Sequence, residues 1–102
     1  MNLFFDTSAL IKRYVIEDGS HEVDSLMDAA DNIIVSIITE LETHSTFKRL
    51  VTEKAISDKD YKTAIKEFEI DYPYFTHVII DDVITAHAKY LIAKHQLKTL
   101  DS

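Results

Sequence analysis

Apolar and polar positions along the chain alternate between short continuous apolar runs and longer periodic stretches. Leu3-Phe4-Phe5 is such a run, as expected of a short strand covered on both faces. From Asp6 to about Tyr14 the apolar residues Leu10, Ile11 and Tyr14, followed by Val15, predict a helix. Asp18-Gly19-Ser20 breaks it, and Val23, Leu26, Met27 and Ala30 then recur at i, i+3, i+4 and i+7, one face of an amphipathic helix. Asp31-Asn32 is a second break before a β-branched strand, Ile33-Ile34-Val35. Ser36 to about Ala55 predicts one long helix with Ile37, Leu41, Leu50 and Val51 turned to a core. Ser57, with Asp60 three residues on, is capping-box-like. The stripe Tyr61, Ala64, Ile65, Phe68 follows, and Asp71-Tyr72-Pro73 ends that helix. A third strand is predicted over His77–Ile80 and closed by Asp81-Asp82. The next helix carries Ile84, Ala88, Leu91, Ile92 and His95, and a new segment opens at Lys98-Thr99-Leu100.

Strands that alternate with helices predict an α/β fold with a parallel sheet. At 102 residues the chain holds one domain, 1–102, with no linker and no internal repeat. No apolar run approaches the roughly 20 residues of a membrane helix. Asp6 interrupts the only apolar opening, so no signal peptide is read there. Cysteine is absent, which removes disulfides, thiolate zinc sites and cysteine nucleophiles and fits a cytoplasmic protein. A net charge of −7 argues against coating duplex DNA by charge alone. It does not argue against a nuclease, because a carboxylate site loaded with divalent metal reverses its local sign. With one glycine there is no glycine-rich phosphate loop.

In parallel sheets ligands sit beyond the carboxyl ends of the strands. Asp6 follows the first strand, Glu42 lies early in the helix after the second, and Asp101 follows Lys98-Thr99-Leu100. Three carboxylates near one end of a sheet suit metal-assisted phosphodiester hydrolysis, because Mg²⁺ and Mn²⁺ prefer oxygen ligands. Each acid also has a plainer reading. Asp6 and Asp101 can be helix N-caps, and Glu42 can be a solvated helix acid.

At these residues the sequence resembles the PIN-domain family, specifically its VapC-type ribonuclease toxins. Phe4-Phe5-Asp6-Thr7-Ser8-Ala9-Leu10 is similar to the family's opening strand and Asp-[Thr/Ser]-Ser-Ala-Leu motif. Ser36-Ile37-Ile38-Thr39-Glu40-Leu41-Glu42 is similar to its Ser-x-x-Thr-x-x-Glu helix, with Arg49 seven residues on, and that register selects Glu42 over Glu40. Leu97-Lys98-Thr99-Leu100-Asp101-Ser102 is similar to a third family segment. The resemblance implies a PIN-like three-layer α/β/α fold and a metal-dependent endoribonuclease, the toxin of a type II toxin–antitoxin system. Asp6, Glu42 and Asp101 would be catalytic, with Asp6 and Asp101 ligating Mg²⁺ or Mn²⁺. Ser8 would help to orient the site; Lys12-Arg13 and Lys48-Arg49 are the basic pairs nearest these acids, and Lys12, Arg13 and Arg49 are expected, with Ser8, to face the RNA. The partners implied are RNA, a cognate antitoxin and a second copy of the chain, in a homodimer or segment-swapped oligomer.

In the family, a helix and a fourth strand with another acid follow the third motif, beside the first strand. The chain ends at Ser102, so the resemblance makes it an incomplete, N-terminal portion of the domain. It implies a bare edge on the first strand, self-association, and weak or absent cleavage by the portion alone. An alternative of a different class is a non-catalytic PIN remnant that binds an antitoxin or itself. A receiver domain, suggested by Ile79-Ile80-Asp81-Asp82, expects an acid pair after its first strand, where only Asp6 stands. The basic residues also fit solvated helix faces. His87 and His95 are spaced eight apart, unlike a helical zinc pair, and His21, His44 and His77 read as packing or surface. Tyr61, Phe68, Tyr72, Tyr74 and Phe75 read as core or as an apolar contact surface.

Overall fold

The computed structural model describes residues 1–79; the predicted helix over Ile84–His95, the Asp81-Asp82 pair and Asp101 lie outside the described residues. Three short strands, β1 (Asn2–Phe4), β2 (Asn32–Ser36) and β3 (Thr76–Val78), form a parallel sheet in the order β1-β2-β3. Leu3 pairs with Ile33, and Val35 with His77. The α/β class with a parallel sheet is as predicted, and it is consistent with a PIN-like α/β/α arrangement. Helices α1 (Thr7–Ile11) and α2 (Ser20–Ala29) connect β1 to β2. Helices α3 (Thr39–Thr52) and α4 (Asp58–Asp71), with a 3₁₀ turn at Tyr72–Tyr74, connect β2 to β3.

The core follows the predicted stripes, with one exception. Val23 and Met27 of α2 and Ala64 and Phe68 of α4 are buried against Leu3, Phe5 and Val35 of the sheet region. Phe47 and Phe68 are fully buried, and Tyr14 packs edge-on to both, with ring centroids at 6.2 and 5.5 Å. Such edge-to-face packing adds to the hydrophobic gain of aromatic burial. Of the other aromatic residues, Phe75 is buried, Tyr61 and Tyr72 are half-buried, and Tyr74 stands in solvent.

The exception is α3. Its buried face is Thr39, Thr43 and Phe47, whereas Ile37, Ile38 and Leu41 are each more than half exposed. The Ile37 N–H donates to the Val78 carbonyl and extends the sheet ladder by one bond. Ser36 Oγ then accepts from the Ile38 N–H, and the helix starts only at Thr39. Ile37 therefore lies in the ladder and not on the helix, and Leu41 falls on the side of α3 opposite Thr39, Thr43 and Phe47, while Leu50 and Val51 are half-buried. The end of α3 is set by Lys54 at φ +60, where the Ala55 N–H reaches the Leu50 carbonyl and the Lys54 N–H that of Val51. These are the paired bonds of a Schellman stop.

The first helix is also shorter than the predicted Asp6–Tyr14. After Ile11 the N–H groups of Lys12, Arg13 and Tyr14 turn to carbonyls three residues back. The backbone tightens into turns there, and α1 ends.

Candidate active site

Asp6 stands just beyond the carboxyl end of β1, as the N-cap of α1. Its Oδ1 accepts from the Ala9 N–H at 2.8 Å and from Ser8 Oγ at 3.0 Å. Among the described residues, no hydrogen bond uses Oδ2. The capping role foreseen for Asp6 is therefore real, and it occupies only one of the two oxygens.

Glu42 enters from α3, which the chain reaches after β2. Thr7 Oγ1 donates to Glu42 Oε1 at 2.7 Å across 35 residues of sequence. Asp6 and Glu42 thus line one cleft of about 470 Å³, with Thr7, Ser8, Glu17, Thr46 and Arg49 also in its wall. Arg49 lies seven residues after Glu42, nearly two helical turns on, and so on the same side of α3. Glu40, the acid passed over by the motif register, points elsewhere. Its charge acts on Tyr72, whose phenol is pushed up by burial first and by Glu40 second.

The structure brings together Asp6, Glu42, Ser8 and Arg49 of the residues expected at the site. Asp101 lies outside the described residues. Lys12 and Arg13 do not line the acidic cleft, contrary to expectation. Lys12 is 8% exposed, and its Nζ donates to the Asp18 carbonyl at 2.8 Å and pairs with Glu17 at 3.5 Å. Arg13 binds Asp24 at 3.1 Å and Asp28 at 3.6 Å. Burial disfavours its charge, but the bond to Asp24 and the carboxylates of Asp24, Asp28 and Asp71 outweigh it and raise its pKa. The physical reason is the early end of α1, which turns both side chains toward α2 and the loop before it. Lys48, beside Arg49, lies over the Tyr61 ring at 5.9 Å from its centroid.

Sequence reasoning passed over three wall residues. Thr7 is a hydroxyl next to an acid, and nothing in the sequence marks it as the partner of Glu42. Glu17 is an acid in a loop, carried to the cleft by its pairing with the buried Lys12. Thr46 sits between Glu42 and Arg49 on α3. Of the histidines, His77 stacks on Tyr72 with centroids at 4.3 Å, His44 sets its edge on Phe68, and His21 is exposed.

The acids and hydroxyls of the cleft, Asp6, Glu17, Glu42, Thr7, Ser8 and Thr46, offer oxygen ligands, which is the chemistry hard divalent ions select. Among the described residues, no three or more acids or histidines gather closely enough to form a metal cage. Two carboxylates, each with one free oxygen, are still the number Mg²⁺ commonly takes while keeping waters. No helix among the described residues is long and apolar enough to cross a membrane.

In comparison with known proteins, the model of one family, the PIN domain, matches residues 3–102. PIN domains are generally nucleases that need divalent metal ions. None of the curated proteins matches the chain. The match runs over nearly the whole sequence, and the parallel sheet beneath it delivers Asp6 to a cleft that Glu42 shares, so the chain belongs to the PIN-domain family.

Proposed function

We propose that this PIN domain is an Mg²⁺- or Mn²⁺-dependent endoribonuclease, the toxin of a type II toxin–antitoxin pair. The observation that carries the reading is the cleft in which Asp6 and Glu42 meet, with Arg49 on its wall. Asp6 and Glu42, joined by Asp101, would hold the ion. When bound, it supplies an activated water and offsets charge on the phosphate.

The chain's own residues do the rest. The Ala9 N–H and the Ser8 hydroxyl fix the Asp6 carboxylate, so its free oxygen has a defined direction. Arg49 is exposed and only loosely paired with Glu53 at 3.5 Å, so its planar guanidinium can turn to an RNA phosphate and bind it through two N–H groups. Ile11 and Leu50 supply the apolar part of the cleft wall. Asp6→Asn keeps the capping oxygen and removes the negative charge. In the full-length protein it is expected to lower Mn²⁺-dependent cleavage of single-stranded RNA at least 100-fold with the fold intact. Cleavage at the wild-type rate would overturn the assignment.

A second reading rests on a separate observation. Ile37, Ile38 and Leu41 stand exposed at the start of the helix that carries Glu42, and β1 is an edge strand of the described sheet. Both features suit a protein partner, an antitoxin segment or a second copy of the chain. On the toxin reading such a partner covers the cleft and silences it. On the reading of a non-catalytic interaction module the partner is the whole function. Cleavage by the wild type that Asp6→Asn abolishes marks the toxin, whereas a pure binding module cleaves no RNA in either form and binds its partner in both.

A further inference from the structure

Asp6, Thr7 and Ser8 are consecutive, yet their polar groups serve two different acids. Ser8 Oγ and the Ala9 N–H hold Oδ1 of Asp6. Thr7 Oγ1 passes over its neighbour and donates to Oε1 of Glu42, on a different helix. Glu42 itself is exposed, and a free glutamate on a helix surface samples many rotamers. Thr7 is β-branched and sits in the first turn of α1, so its hydroxyl has few orientations.

We propose that Thr7 is the positioning residue of the site. Its hydroxyl fixes the Glu42 carboxylate at a set separation from Asp6 and leaves the second oxygen of each acid for the ion. This inference rests on the metal-dependent nuclease reading. The bond does two things that packing alone does not. It ties α1 to α3 at the mouth of the cleft, and it selects which Glu42 oxygen is spent. Outer partners of metal-binding carboxylates commonly change metal affinity or activity by 10- to 100-fold.

The test compares Thr7→Val, Thr7→Ser and Glu42→Gln, with the double variant Thr7→Val/Glu42→Gln, in the full-length protein. Mn²⁺ affinity is read by calorimetry, RNA cleavage by kcat and KM, and folding by thermal melts. Thr7→Val is expected to weaken Mn²⁺ binding about tenfold or more and to lower kcat with KM for RNA nearly unchanged. Thr7→Ser, which keeps the hydroxyl, is expected to restore both. In the Glu42→Gln background, Thr7→Val is expected to add little, because its effect runs through that acid. A Thr7→Val loss that persists undiminished in the Glu42→Gln background, or that Thr7→Ser fails to rescue, overturns the inference as a mere effect on folding or shape. A wild type that binds Mn²⁺ and cleaves RNA, matched by Thr7→Val, overturns the inference alone. A wild type that does neither overturns the nuclease reading, and the inference with it.

Discussion

Thr43 sits on the buried face of α3 between Thr39 and Phe47, and its Oγ1 has no hydrogen-bond partner among the described residues. A buried hydroxyl without a partner carries its full desolvation penalty, whereas an apolar group of the same shape does not. Thr43→Val is expected to stabilise the protein by about 1 kcal/mol, or about 4–8 °C in Tm for a domain of this size. A lower Tm would mean that the hydroxyl is satisfied in solution. Asp6 was legible at this scale because an acid directly after a short apolar run has few other places to go. Glu42 was legible only through its motif register, because Glu40 is equally acidic and stands two residues away. Thr7 was not legible, since its bond to Glu42 spans 35 residues and depends on how two helices meet.

The elements show where local pattern and tertiary contact part company. The stripes of α2 and α4 face the core as their periodicity requires, and Ser57 caps α4 by accepting from the Asp60 N–H at 3.0 Å. The stripe read for α3 failed in its first half: Ile37 is held in the ladder by Val78, and Leu41 lies opposite the face that Thr39, Thr43 and Phe47 bury. Between α1 and α2 the turn depends on Gly19, at φ +92, where an added Cβ would lie 3.2 Å from Cδ of the buried Lys12. Left-handed backbone costs a non-glycine residue about 1–2 kcal/mol. Gly19→Ala is therefore expected to lower stability by about that much, read as a fall in the urea midpoint. It should also disturb the Lys12 contacts that hold Glu17 at the cleft. An unchanged midpoint would show that the loop relaxes freely.

At the scale of the molecule, a second hydrogen bond besides Thr7–Glu42 joins the connections on either side of β2. Tyr14, after α1, donates to Asp71 at the end of α4, 57 residues on, at 2.8 Å. Burial first, then the Asp71 bond and charge, push the Tyr14 phenol well above its ordinary 10.0. The folded state therefore keeps a proton that the unfolded chain begins to release near pH 10, so folding stability is full below that pH and falls as pH rises past it. The limiting slope is about 1.4 kcal/mol per pH unit. Urea midpoints measured from pH 8 to 11 are expected to drop above pH 10, and to drop less steeply in Tyr14→Phe. Equal slopes in the two proteins would mean that Tyr14 ionises normally when folded.

The sequence by itself determined the α/β class, the order of the elements, the faces of α2 and α4, and the candidacy of Asp6, Glu42 and Arg49. The class, the faces and Asp6 follow from short-range rules, namely side-chain period, capping chemistry and the tendency of a parallel sheet to present residues at its carboxyl ends, whereas Glu42 and Arg49 came from the register of a family motif. Only the tertiary structure decided that Thr7 grips Glu42 and that Glu17 joins the cleft. It alone decided that Lys12 and Arg13 are spent on α2 and the loop before it, and that Ile37, Ile38 and Leu41 face out. The first and the last turn on bonds between segments far apart in the chain, Thr7 to Glu42 and Ile37 to Val78, and the others on where α1 stops, which no side-chain period reveals.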